Sequence, residues 1–127
     1  MPPKKIPEAQ RNLNWLYDLY RKYNKKYFGG KLPNEVLIQI VAAGTKGYSI
    51  DCNLNKATFE EGCTTIFSNE APPVVELHEY MLSYPPYAKG VLLHEQIHVS
   101  GITGHGKEFN AECDRIGKLG ATRELLK

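Results

Sequence analysis

The sequence predicts a small α+β domain, with helices towards both ends and a short sheet between them, on three observations. Leu13, Leu16, Tyr20, Tyr23 and Tyr27 recur at three- and four-residue steps, the spacing of one helical face. Short β-branched and apolar runs separated by Gly, Asn, Asp and Pro fill the middle of the chain, as in strands joined by turns. A second helical stretch then follows Pro85-Pro86, residues suited to the start of a helix. A chain of 127 residues has the length of one domain with one core, so residues 1–127 are read as a single domain with residues 1–9 as a flexible start.

The first helix is expected from Pro7 to about Phe28. Arg21, Lys22, Lys25 and Lys26 lie mostly off its apolar stripe, and the tyrosines within the stripe are read as core. Gly29-Gly30 supplies a C-cap, and Leu32-Pro33-Asn34 leads the chain away. Strands are expected at Val36–Val41, Tyr48–Cys52, Thr64–Ser68 and Val74–His78, giving a sheet of three or four strands. A second helix runs from about Tyr87 to Ser100. Gly101 and Gly104 bracket a tight connection, and a third helix begins near Gly106 with Phe109, Cys113 and Ile116 as its buried stripe.

Composition excludes several classes. Apolar residues at 42% and charged residues at 24% match soluble globular proteins and argue against a disordered or fibrous chain. No apolar run is long enough to span a bilayer, and Met-Pro-Pro-Lys-Lys-Ile-Pro at the start has no hydrophobic stretch behind it. The expectation is therefore an intracellular, cytoplasmic monomer without membrane contact. Cys52, Cys63 and Cys113 form neither a Cys-x-x-Cys pair nor an even set, which fits buried or incidental thiols better than a disulfide framework or a zinc ribbon. The net charge of +2 conceals an asymmetry: residues 1–31 carry eight Lys or Arg against two acids, and residues 32–93 carry three against seven. The basic first helix is a candidate DNA contact, although a solvated face is the simpler reading.

The chemistry lies in the second helix, where His94-Glu95-Gln96-Ile97-His98 matches H-E-x-x-H. Residues i and i+4 share a helical face, so both imidazoles can take corners of one zinc tetrahedron. Glu95 is turned about 100° from His94, beside the metal rather than on it, where it can act as general base towards a metal-bound water. Leu93 and Ile97 on the adjoining stripe anchor the helix. Catalytic zinc needs a third protein ligand. His105 is the leading candidate, with a carboxylate from Glu108 or Glu112 as the alternative. His105 falls one residue beyond the final histidine of H-E-x-x-H-x-x-G-x-x-H, and both methionines, Met1 and Met81, precede the motif, so the metzincin pattern is excluded. His78 is read as structural or solvent-facing. Tyr84 and Tyr87 are candidates for oxyanion stabilisation, with packing the simpler role.

These residues resemble the SprT-like zinc metallopeptidases, which include the Spartan proteases. Leu19-Tyr20 through Tyr27-Phe28-Gly29-Gly30-Lys31-Leu32-Pro33 is similar to that family's opening helix and its exit. His94-Glu95-Gln96-Ile97-His98 followed by His105-Gly106-Lys107-Glu108-Phe109 is similar to its H-E-x-x-H and H-G-x-x-F elements. The resemblance covers about residues 10–118. It implies a small zincin of minimal gluzincin-like architecture, one zinc ion held by His94, His98 and His105, Glu95 as base, and endopeptidase activity. It also implies action on DNA-associated proteins, with the chain in the nucleoid or nucleus in that case. In the expected mechanism a strand near Val74–Leu77 pairs with the substrate backbone. The alternative function is a zinc-containing nucleic-acid- or protein-binding module without peptidase activity. Structural zinc usually takes four protein ligands, often cysteines, and none lies near the motif.

Overall fold

The computed structural model of the chain describes residues 8–41, 45–46, 53–54, 62–66 and 71–121. They form an α+β arrangement of three α-helices, one 3-10 helix and five strands: α1 (Glu8–Tyr27), β1 (Leu37–Val41), β2 (Thr45–Lys46), β3 (Asn53–Leu54), β4 (Gly62–Thr65), β5 (Val74–His78), a 3-10 turn (Glu79–Ser83), α2 (Pro85–Val99) and α3 (Lys107–Lys118).

The α1 stripe is buried as its periodicity predicts, with Leu16, Leu19, Tyr20, Tyr23 and Tyr27 all in the core. Its hydroxyls are placed as well: Tyr20 donates to the Pro33 carbonyl at 2.7 Å, and Tyr17 accepts from the Ile38 backbone N–H at 2.9 Å. Buried phenols need such partners, and here they tie the helix to its exit and to β1. The exit is fixed by Asn24, whose side chain donates to the Leu32 carbonyl and accepts from the Leu32 N–H. Leaving those two buried backbone groups unpaired would cost about 1–3 kcal/mol each. Gly29 and Gly30 turn the chain there with φ of 60° and 75°, a region that strongly favours glycine. α1 begins at Glu8, so residues 8 and 9, expected in the flexible start, are helical; residues 1–7 lie outside the described residues.

The described strands make two sheets instead of one. β5 is central in a three-stranded sheet, parallel to β1 and antiparallel to β4, while β2 and β3 form a separate two-residue ribbon. Two predicted strands, at Val36–Val41 and Val74–His78, match β1 and β5 to within a residue. The one predicted at Thr64–Ser68 begins earlier, at Gly62 opposite Leu77, because pairing with a formed strand overrides glycine's poor strand propensity. The Tyr48–Cys52 expectation lies outside the described residues.

α2 starts two residues before the predicted Tyr87, since Pro85 and Pro86 occupy its first turn, where a missing N–H costs nothing. It is the central helix, packed against α1, β4, β5 and the 3-10 turn. Leu92, Leu93 and Ile97 are fully buried, which anchors the motif helix as expected. No helix among the described residues is long and apolar enough to cross a membrane. The Cys113 side chain is buried, while Cys52 lies outside the described residues.

Candidate metal centre

Two local features aim three imidazoles at one point. The α-helical repeat places His94 and His98 one turn apart on the same face of α2. Past Ser100 the backbone takes φ of 108° at Gly101 and 71° at Gly104, which reverses the chain so that His105, just before α3, returns over that face.

His94 Nε2 and His105 Nε2 are 3.0 Å apart, and His98 Nε2 and His105 Nε2 are 3.3 Å apart. Ligand atoms at zinc–nitrogen distances of 2.0–2.1 Å would stand about 3.3 Å apart along a tetrahedral edge, so the spacing fits a shared metal ion. Among the described residues these three histidines are the group that can hold one. The carboxylate alternatives are not in that group: Glu108 is outside it, and Glu112 pairs with Arg115, which in turn donates to the Tyr27 carbonyl at 2.6 Å.

The rings are prepared for ligation. His98 Nδ1 lies 2.8 Å from the Ile102 carbonyl; a carbonyl only accepts, so Nδ1 carries the proton and Nε2 presents its lone pair. Burial first, and then the neighbouring His98 and His105, push the His94 pKa down to about 4. Burial likewise lowers that of His98, opposed by its bond to Ile102. Both are then neutral at physiological pH, the form a metal requires. Beneath all three sits buried Phe109, with ring centroids 4.6 Å from His94, 5.2 Å from His98 in a stacked arrangement, and 5.0 Å from His105. Sequence periodicity had assigned Phe109 to the core stripe; its position one turn after His105 was the available signal for a second role.

Glu95 is only 4% exposed. One carboxylate oxygen, Oε2, lies 4.0 Å from His94 Nε2. The other, Oε1, accepts a hydrogen bond of 2.8 Å from the Thr64 hydroxyl on β4. The carboxylate thus stands beside the nitrogen cluster and outside it, as helix geometry requires. Thr64 was legible only as part of a strand, because it is 31 residues from Glu95 and no local pattern joins the two.

His78 is buried at the end of β5, the structural reading. Tyr84, exposed at the N-cap of α2, and Tyr87 precede His94 by ten and seven residues, about 15 and 10 Å along the axis, and Tyr87 packs on the core. The substrate-pairing role for Val74–Leu77 is corrected: β5 is paired with β1 on one side and β4 on the other, so its backbone groups are already used. No family model, curated protein or solved structure matches the chain.

Proposed function

We propose that the chain is a zinc-dependent endopeptidase of the SprT-like type, a minimal gluzincin-like zincin. The observation that carries this reading is a three-histidine cluster of tetrahedral spacing with a buried carboxylate 4.0 Å from one of its nitrogens. Three protein ligands among the described residues would leave a fourth position open, the arrangement of catalytic rather than structural zinc.

Zinc held there would supply a Lewis acid, polarising a scissile carbonyl and easing loss of a proton from water. Glu95 takes that proton and hands it to the leaving amine nitrogen. Burial of the carboxylate limits competing contacts with bulk water. Strand β4, at an edge of the three-stranded sheet among the described residues and with Thr64 touching Glu95, replaces β5 as the strand beside which an extended substrate backbone would lie. The exposed Lys22, Lys25 and Lys26 of α1 are the proposed DNA contact for acting on DNA-associated proteins, as a monomer in the cytoplasm, nucleoid or nucleus.

The test is incubation of zinc-loaded wild type and Glu95→Gln with unfolded protein and with DNA-bound protein. Wild type is expected to produce fragments, and Glu95→Gln to keep its zinc while losing cleavage by about 10²–10⁴-fold, the span of a general base. Cleavage by Glu95→Gln at the wild-type rate would remove the base, and bound zinc with no cleavage of either substrate would favour the binding module.

A further inference from the structure

Glu95 has two carboxylate oxygens in different surroundings, and the residue that distinguishes them is on another element. We propose that Thr64 is a positioning residue for the base: its hydroxyl holds Oε1, so that Oε2 is the oxygen presented to the histidine cluster. This rests on the peptidase reading for its functional meaning, but the contact can be tested without it.

The Thr64 hydroxyl has one proton and two acceptors nearby, Glu95 Oε1 at 2.8 Å and the Glu95 backbone carbonyl at 3.2 Å. The carbonyl lies inside α2, where the helical pattern supplies it with the N–H of Val99. The carboxylate oxygen is also the nearer acceptor, at 2.8 Å against 3.2 Å. The proton therefore serves Oε1, and the remaining oxygen, 4.0 Å from His94 Nε2, faces the ligands. Both ends of the contact are rigid. Thr64 is paired with Val75 of the central strand, and its β-branched side chain is stiff at χ1. Glu95 is carried on the most deeply packed helix, between fully buried Leu93 and Ile97. The hydroxyl thus helps to hold a long glutamate in one orientation, which a general base needs if its acceptor atom is to meet the proton.

Thr64→Val keeps the shape and removes the hydroxyl; Thr64→Ser keeps the hydroxyl. With zinc loaded, Thr64→Val is expected to lower kcat about 10- to 100-fold, the span of one hydrogen bond to a charged group, with KM and zinc content unchanged. Thr64→Ser is expected to recover most of the loss. The second readout is the Glu95 side-chain carboxylate carbon in the metal-free protein, identified by NMR as the signal missing from Glu95→Gln. It should shift in Thr64→Val and stay in place in Thr64→Ser. An unmoved signal in Thr64→Val, or a kcat equal to wild type, overturns the proposal. So does Thr64→Ser behaving like Thr64→Val in both readouts. If wild type cleaves nothing, the peptidase reading fails while the NMR signal still decides whether Thr64 orients the carboxylate.

Discussion

Helices α1 and α2 each present a row of polar groups, and they hold them in opposite ways. On α2, Glu95 and Gln96 are buried, His94 and His98 half-buried, and each has a named neighbour: Thr64 for Glu95, the Tyr20 carbonyl for Gln96, Ile102 for His98, Phe109 for both rings. On α1, Lys22, Lys25 and Lys26 are exposed, and the contacts on that surface include Lys26 over the Tyr27 ring and Arg21 with Asp18, an exposed pair that contributes little. The residues proposed for position-dependent chemistry are on the helix packed against α1, β4, β5 and the 3-10 turn. The proposed attraction to a polyanion would need only charge, which the solvent face of α1 carries.

Three changes sharpen that contrast. The largest effect is expected from Phe109→Leu, which keeps an apolar side chain but removes the ring under all three imidazoles. Zinc affinity should fall about 10- to 100-fold, the span typical of lost outer contacts at a metal site, measured by chelator competition. A smaller effect is expected from pH in the metal-free protein. The folded-state pKa of His94 is depressed to about 4 from an ordinary 6.5, so the unfolded chain binds the proton more readily. Its contribution to stability is full above 6.5 and lost as pH falls towards 4. Thermal midpoints should decline over that window more in wild type than in His94→Gln. The smallest effect on the fold is expected from removing charge at Lys22, Lys25 and Lys26 together: stability within about 0.5 kcal/mol of wild type and zinc unchanged, with DNA affinity reduced and its salt dependence flattened. DNA binding as tight as wild type at low salt would make α1 only a solvated face.

Features encoded locally were legible in the sequence, and those made by distant segments were not. The helices announce themselves through spacing: the α1 tyrosines, His94 with His98, Phe109 with Cys113 and Ile116. The reversal that delivers His105 was visible as Gly101 and Gly104, but spacing alone left Glu108 and Glu112 as competitors, and only the convergence of three nitrogens separates them. Strand order was not legible. The strand-like run Val74–His78 does not say whether a strand is central or at an edge, and β5, flanked by β1 and β4, has no edge to offer the substrate pairing first placed there. The 3-10 turn at Glu79–Ser83 and the contact between Thr64 and Glu95 carry no local signature, since each depends on how the sheet meets α2.

Three histidines acting as one metal site should hold one ion per chain, and zinc content measures that directly. Wild type and His105→Ala, each dialysed against buffered zinc, are to be assayed for bound metal by mass spectrometry. One zinc per chain in wild type and its loss from His105→Ala is the predicted result. Zinc held equally by both proteins, or absent from wild type, would contradict it.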